Sequence, residues 1–531
     1  MQYDVVIIGG GHAGIEAAWS SAQALNASGG RVAMVTMDPS LIGTMSCNPA
    51  IGGLAKGQIV REIDALGGLM GRVADATGIM FKVLNSSRGA AVRGPRCQSD
   101  KYAYRNETQR LLSTHPSIDI LQGTVADFLI EKEKIVGVVL PKGAGPVEFS
   151  GNRYPSKSDQ PASSETIIHT KNVVLTTGTF MRALMHTGEQ QEEGGRVGEG
   201  AAVGISATLS NIGFELGRLK TGTPPRLRRS TIDWEGLEPQ HGDSKPIPFS
   251  ELYGGRNFPV LRQIECRITS TTSPVHDLIR ANLHRAPMYS GAIDAEHGPR
   301  YCPSIEDKVV RFAERSEHHV FLEPEAIDSE EIYCNGISTS LPAEIQIDIV
   351  RGMPGCEHAE ILKPGYAVEY DMVRPHQIDA TCETKRVGGL YLAGQINGTS
   401  GYEEAAGQGL LAGLNAARRS LGESAIRLGR EEAYIGVMMD DLVTRTPREP
   451  YRMFTSRAEH RLRLRADNAD ERLTARGRAF RIVGDDQWGR WTQREEELKG
   501  LHQDFAKIRV EGKLLKEIAR RPETTAHDVL P

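Results

Sequence analysis

Few cysteines, no long apolar run and no excess of positive charge mark this sequence of 531 residues. Cysteine occurs seven times, at Cys47, Cys97, Cys266, Cys302, Cys334, Cys356 and Cys382, and no two form a Cys-x-x-Cys pair. A zinc site therefore has little support. An odd number of widely spaced cysteines reads as reduced thiols in a cytosolic protein, not as a disulfide framework. No run of about eighteen apolar residues is present, so nothing is expected to span a membrane. The N-terminus enters a strand directly, without a charged leader or a cleavage site. A net charge of −5 excludes a chain that is basic overall but permits a local basic face. Internal repeats and long low-complexity tracts are also missing. What remains is ordinary globular composition, 39% hydrophobic and 25% charged. At about 100–200 residues per domain the length predicts two to four domains, each able to bury a sizeable core.

The pattern along the chain is α/β. An apolar run from Asp4 to Ile8, a glycine cluster and an Ala-rich segment from Ile15 to Leu25 read as strand, tight turn and helix. A second β-like run from Arg31 to Met37 completes a βαβ unit. Three short runs, 118–121, 126–131 and 135–140, read as a β-meander inserted in the nucleotide-binding fold. Residues 141–165, rich in Gly, Pro, Ser and Asp, read as a surface loop. Asn172 to Gly178 reads as a buried parallel strand ending in a glycine turn. The Pro- and Gly-rich stretch from about 205 to 365 has weaker periodicity and reads as an inserted α/β domain. Gly389 to Gly394 then returns to the strand-and-glycine pattern, and Gly409 to Leu421 reads as a helix with small residues facing inward. After about residue 430 the chain turns helical and Arg-rich, with one or two amphipathic helices over 491–520. The expected organisation is a Rossmann-like first part over 1–204, an insert over 205–365, a second part of the nucleotide domain over 366–430, and a helical region over 431–531.

Gly9, Gly11 and Gly14 fit G-x-G-x-x-G in the run Gly9-Gly10-Gly11-His12-Ala13-Gly14, between a strand and a helix. The first glycine permits the tight turn, the second lets backbone approach a pyrophosphate, and the third lets helix and strand pack closely. The anion then rests on the helix N-terminus. The acid that usually binds a ribose at the end of the second strand is missing; Thr36 stands there, with Asp38 two residues on. The run Gly389 to Gly394 followed by Gln395 resembles the second motif of flavoproteins with this fold, with an amide where Gly-Asp is usual. These features together favour FAD over NAD at this turn.

The run Met45-Ser46-Cys47-Asn48-Pro49-Ala50-Ile51-Gly52-Gly53 places a cysteine close behind the βαβ unit. If the glycine pair opens a helix, its N-terminus lowers the thiol pKa and favours a nucleophile; a buried inert cysteine is the alternative. Cys302 sits among Arg300, Tyr301, Pro303 and Ser304, where Arg300 would stabilise a thiolate. The other five cysteines lack such surroundings and read as structural. Between Arg418 and Arg481 there are fifteen Arg and no Lys, against ten acidic residues. Arg matches phosphates and stacks on bases, so this run reads either as a polyanion-binding surface or as a solvated face of salt bridges. Arg226-Leu227-Arg228-Arg229 adds a second basic spot.

The motifs GGGHAG, MSCNPAIGG, LKTGTPPR, GPRYCPSIEDK, ISTSLP, AGQINGTSGYEEAAGQGLLAGLNAA and EPYRMFTSRAEHRLRLRADNAD resemble the MnmG/GidA family, the bacterial tRNA uridine 5-carboxymethylaminomethyl modification enzymes. The resemblance covers essentially the whole chain. It implies a homodimer that binds FAD, uses NADH and takes a one-carbon unit from methylene-tetrahydrofolate. With the GTPase MnmE, such enzymes build an aminomethyl-type group on C5 of the wobble uridine of certain tRNAs. It implies FAD contacts from Gly9, Gly10, Gly11, His12, Ala13, Gly14, Val125 and Gln395. In relatives a Ser before a Gly-Gly-Arg run also touches the flavin; here Glu193 precedes Gly194-Gly195-Arg196. The NAD segment would be Gly298, Pro299, Arg300, Tyr301, Cys302, Pro303, Ser304, Ile305, Glu306, Asp307, Lys308, Val309, Val310, Arg311 and Phe312. Cys47 and Cys302 match the cysteines proposed to be catalytic. No second G-x-G-x-x-G follows a strand, so the NAD assignment rests on the resemblance, with Arg300, Lys308 and Arg311 as candidate phosphate contacts.

The family continues into a longer helical region implicated in tRNA and MnmE binding. This chain stops at Pro531, so that region is expected to be incomplete. Three rival readings are a folate- and FAD-dependent tRNA uridine methyltransferase, which would lack the Arg-rich segment, a flavin oxidoreductase of small molecules, which would not need that segment and would ignore RNA, and a non-catalytic RNA-binding flavoprotein scaffold, which would tolerate loss of both Cys47 and Cys302.

Overall fold

The computed structural model describes residues 1–141, 145–147, 165–202, 204–253, 257–293, 303–510, 513–514 and 517. Its centre is a six-stranded sheet with five parallel strands. In spatial order these are Leu390–Leu392, Val173–Leu175, Val5–Ile8 (β1), Val32–Thr36 (β2) and Ile118–Gln122, with Gly145–Pro146 antiparallel at the edge. β1 is apolar along its length because it is a central strand buried in the main core. The helix His12–Leu25 (α1) crosses from β1 to β2, and Lys101–Ser113 precedes Ile118–Gln122.

Two sequence expectations change here. The run at 118–121 is not part of a meander: Val32 to Thr36 pair in parallel with Ile118 to Gln122, so it is the fifth strand of the main sheet. The helix capped by Asp100, whose carboxylate accepts from the Tyr102 and Ala103 N–H groups, supplies the crossover that a parallel neighbour requires. The antiparallel three-stranded sheet comprises Asp127–Glu131, Lys134–Leu140 and Thr166–His169. The helix expected from Gly409 begins at Tyr402 and runs to Ser420. Its first turn, Tyr-Glu-Glu, carries acids where the helix dipole favours them.

Tyr402–Ser420 lies directly on α1. A Cβ on Gly409 would come within 2.0 Å of the Ala13 carbonyl oxygen, and one on Gly413 within 2.2 Å of that of Ala17. The Ser20 and Ser21 hydroxyls donate across the contact to Leu410 and Gly413 carbonyls, each at 2.9 Å. Small residues thus bring the two backbones into contact and aim both helix N-termini at the C-terminal edge of the parallel sheet, where open α/β sheets bind ligands.

A four-stranded antiparallel sheet, Gln190–Glu193, Leu184–Thr187, Tyr366–Val373 and Leu216–Thr223, roofs that edge. Beyond it a six-stranded antiparallel sheet holds Arg226–Arg228, His319–Pro324 and Glu331–Asn335 among its strands. This second sheet has its own core, from Leu227 to Ala359, whereas Ile205, Leu209 and Phe214 pack in the first core. The C-terminal region contains the helices Tyr434–Arg445, Ala469–Ala479 and Asp485–Lys507. The last of these begins six residues before the expected position. Among the described residues no helix is long and apolar enough to cross a membrane.

Candidate active site

A cavity of about 470 Å³ runs along the C-terminal edge of the parallel sheet. It is lined by Asp38, Gly123 and Val125, by Gly9 to Ala13 with Gly394 and Gln395, and by Cys47, Arg96, Thr221 and Tyr333. The turn, Val125, Gln395 and Cys47 are therefore brought to one space.

The glycine turn has the geometry its spacing predicts. Gly9 has φ +112°, a conformation L side chains rarely adopt, and a Cβ there would lie 2.4 Å from the Thr176 carbonyl oxygen. A Cβ on Gly14 would lie 1.9 Å from the Gly9 carbonyl oxygen. On Gly11 it would meet nothing within 4 Å, because that position opens into the cavity. Gly11 caps α1 with extended backbone, leaving the first helical N–H groups for an anion.

His12 stacks on Tyr402 at 4.4 Å between ring centroids, and Tyr104 lies 5.7 Å away. Burial pushes its pKa down to about 4, with Glu403 opposing and Lys56 reinforcing the shift. The ring is thus neutral, and its buried Nε2 has no hydrogen-bond partner among the described residues. An open cradle at Gly11 and an orphaned polar atom beside it fit a dinucleotide with a pyrophosphate over this turn. Asp38 lines the same cavity, its Oδ1 accepting from the Ser40 N–H at 2.9 Å and Oγ at 2.7 Å.

The Gln395 turn is built by a buried amide network. Gln408 Oε1 accepts from the Gly394 N–H at 3.1 Å and from Asn397 Nδ2 at 2.9 Å, and Gln408 Nε2 donates to Thr399 Oγ1 at 3.0 Å. Nearby, Lys56 Nζ donates to Glu403 Oε2 at 2.7 Å, and the Gly52 N–H donates to Glu403 Oε1 at 2.6 Å. Burial raises the Glu403 carboxyl, but Lys56 and the Gly52 N–H overcome it and hold the group below the usual carboxylate range. Tyr402 and Glu403 lie in a quoted motif but are not singled out there as site residues, and Lys56 lies in none. The clue was the acidic pair opening the Tyr402–Ser420 helix.

Cys47 lies half-buried on the cavity wall, in no disulfide. Its N–H donates to Tyr402 Oη at 2.7 Å. The expectation that the Gly52-Gly53 pair opens a helix behind it does not hold. Ala50–Gly52 is a strand pairing with Gly94–Ser99, and the next helix, Lys56–Ala65, starts after Ala55. A different positive charge stands beside the loop: Arg226, whose Nη2 donates to the Ser46 carbonyl at 2.9 Å. On the other side Asn48 Nδ2 donates to Glu323, which also pairs with Arg96 at 2.7 Å.

The other described cysteines, Cys97, Cys266, Cys334, Cys356 and Cys382, are fully buried. Burial raises all five thiols, Cys266 and Cys356 to about 12. Among the described residues no cluster has the makings of a metal site.

Some expected contacts fall elsewhere. Gly298, Pro299, Arg300, Tyr301 and Cys302 lie outside the described residues. Pro303 and Ser304 lead into the helix Ile305–Arg311, and neither they nor Ile305, Glu306, Asp307, Lys308, Val309, Val310, Arg311 or Phe312 line the cavity. Glu306 is buried and accepts from Thr339 Oγ1 at 2.7 Å and the Ser340 N–H at 3.1 Å; Lys308 Nζ donates to the Gly336 carbonyl at 2.7 Å. Both side chains tie the helix to its own sheet. Glu193 is exposed on an edge strand away from the cavity, while Gly195 and Arg196 do line it.

The Arg226 to Arg229 spot is not a free basic surface. Arg226 is buried on Glu325, and Arg228 pairs with Glu360 at 2.7 Å. Of the fifteen Arg in the C-terminal run, eleven make ion pairs with described residues. Arg430 alone bridges Asp440, Asp441 and Glu459. Arg452, which makes no ion pair among the described residues, lines the cavity. Tyr451 beside it is tied to Gly398 and Ser400 by backbone bonds of 2.8 Å each.

A family model described as glucose inhibited division protein A matches residues 4–147 and 161–424. A protein of Protochlamydia amoebophila (strain UWE25) named tRNA uridine 5-carboxymethylaminomethyl modification enzyme MnmG is 48% identical over 534 residues, which cover 100% of this chain and 81% of the relative. A Rhodopirellula baltica protein of the same name is 51% identical, over 98% of this chain and 75% of the relative. The crystal structure of Aquifex aeolicus GidA in its form I crystal superimposes with a TM-score of 0.86 at 44% identity, over 97% of this chain and 82% of that one. The chain belongs to the GidA family.

Proposed function

We propose that this protein is an FAD-dependent enzyme that adds a carboxymethylaminomethyl or aminomethyl group to C5 of the wobble uridine of certain tRNAs. In this reading methylene-tetrahydrofolate is the one-carbon donor, NADH the reductant, the GTPase MnmE the partner, and a homodimer the assembly. The activity is carried over from relatives at 48% and 51% identity that bear that name. The observation that supports it within the chain is one cavity lined by the Gly9–Ala13 turn, Gln395 and Cys47.

The residues divide the work as follows. The N–H groups at the start of α1 would hold the pyrophosphate of FAD, Asp38 would meet its ribose and Gln395 its ribityl chain. FAD bound there supplies hydride transfer. Uracil C5 is a poor nucleophile. The Cys47 thiolate adds to C6, which places carbanion character on C5 so that it attacks an iminium-like one-carbon electrophile. Loss of the C5 proton and expulsion of the thiolate then restore the ring with the one-carbon unit on C5, and an amine, ammonia or glycine, displaces the folate nitrogen so that tetrahydrofolate leaves and the aminomethyl group remains. Cys302 is the second cysteine of this reading, handling the C5 proton or resolving the adduct. Arg452 at the cavity wall faces the polyanionic substrate.

Nucleoside mass spectrometry of tRNA from cells lacking the protein, before and after complementation, tests this reading. The wobble-uridine side chain should vanish and return. Loss of a ring methyl elsewhere in tRNA instead identifies a methyltransferase, and unchanged tRNA removes both.

A further inference from the structure

The loop that carries Cys47 is gripped by the second sheet, and the grip centres on one buried guanidinium. Arg226 is only 6% exposed and spends its donors in four directions. Nε donates to Glu325 Oε1 at 2.9 Å, Nη1 to Thr223 Oγ1 and to the Pro224 carbonyl at 2.8 Å, and Nη2 to the Ser46 carbonyl at 2.9 Å. Its plane lies over the Tyr333 ring, 4.8 Å from the centroid. Glu325 is held in turn by Lys101 at 2.6 Å. Lysine, a point charge, cannot reproduce this planar fork.

We propose that Arg226 is a positioning residue for Cys47: it fixes the Ser46 carbonyl, and with it the cysteine loop, and sets a permanent positive charge beside the thiol. This inference rests on Cys47 being the nucleophile of the proposed reaction. Two observations support it beyond the hydrogen bonds. Among the charges that act on Arg226, Cys47 follows Glu325 and Tyr333. Tyr366 and Tyr402 also interact with Cys47, and neither brings a positive charge. Arg196 acts on both tyrosines but pairs with Glu199. The positions also explain why the charge comes from a separate sheet. Arg226 and Glu325 sit on strands of the insert or at their ends, so the cysteine is set correctly only when the insert is docked on the nucleotide domain.

The test is the pH dependence of Cys47 alkylation by iodoacetamide in the FAD-loaded protein, followed by peptide mass spectrometry, with flavin absorbance as the control for folding. Arg226→Gln should raise the alkylation midpoint by roughly one pH unit or more, because a neighbouring opposite charge shifts a titration by that much. Arg226→Lys should keep part of the shift yet lower kcat for tRNA modification more than it changes KM. Glu325→Gln removes the carboxylate that shares the guanidinium and should move the midpoint the other way, a sign a merely unstable variant does not produce. If Arg226→Gln and Glu325→Gln both retain flavin and titrate as the parent does, the proposal is wrong. Alkylation needs no tRNA, so failure of the tRNA reading leaves this measurement standing.

Discussion

At the level of single residues, the three glycines Gly9, Gly11 and Gly14, within one six-residue run, have three separable jobs. A methyl group on Gly14 runs into the Gly9 carbonyl, whereas one on Gly11 enters only the cavity. Gly14→Ala should therefore lower the unfolding free energy of the flavin-free protein by about 1–3 kcal/mol, the usual cost of overpacking. Gly11→Ala should leave that stability unchanged and weaken FAD at least about tenfold, a loss of about 1.4 kcal/mol in binding. Denaturant melts and flavin titrations of the two variants check both statements. His12 gives a pH signature. Its folded pKa of about 4 lies below its unfolded 6.5 because burial opposes the charge. Between these values the unfolded chain binds the extra proton, so this residue's contribution falls as pH drops from about 6.5 to about 4, by up to about 3 kcal/mol. Melts of the flavin-free parent and of His12→Asn over that range should converge; a constant difference contradicts the assignment.

Elements were legible where a local rule fixes them and misread where a partner decides. Strand, glycine turn and helix at the N-terminus follow from apolar runs and the spacing of Gly9, Gly11 and Gly14, and the structure places them so. The run at 118–121 reads as part of a meander because its partner, β2, lies more than eighty residues away, beyond any local pattern. The start of the Tyr402 helix was missed because Gly401, at φ +143°, is a cap set by the turn before it. The small residues of that helix were legible, and their reason is now specific. Gly409→Ala should push it off α1, since its methyl would meet the Ala13 carbonyl at 2.0 Å. The expected result is a loss of about 1–3 kcal/mol of stability together with weakened flavin, because the helix carries Tyr402 and Glu403 into the site. Thermal unfolding of the flavin-free variant reads the first effect and flavin absorbance the second.

Across the whole molecule, charge is organised by pairing, and this is where sequence alone misleads most. An Arg-rich run with no lysine reads equally as nucleic-acid surface or as salt bridges, and the count cannot decide because partners such as Glu62 and Glu383 are remote in sequence. The same holds for Arg226, which reads as surface charge until the second sheet is seen to bury it on Glu325. Arg452 combines a place on the cavity wall with no ion pair among the described residues. Arg452→Gln should weaken tRNA binding uniformly across sequences and reduce the slope of log affinity against log salt by about one, whereas Arg430→Gln should chiefly lower stability. Fluorescence-anisotropy titrations at several salt concentrations distinguish them. The candidate site itself was legible as a set of motifs, but not as one space. Only the fold brings Cys47, more than thirty residues past the glycine turn, and Gln395 to the same cavity. The most direct test of that convergence is the modification of wobble uridine by purified, FAD-loaded Cys47→Ser protein supplied with its co-substrates and partner, read by nucleoside mass spectrometry beside the parent. The account predicts full flavin occupancy and a rate lower by on the order of 10²-fold or more; a Cys47→Ser protein that modifies tRNA at the parent's rate would contradict it.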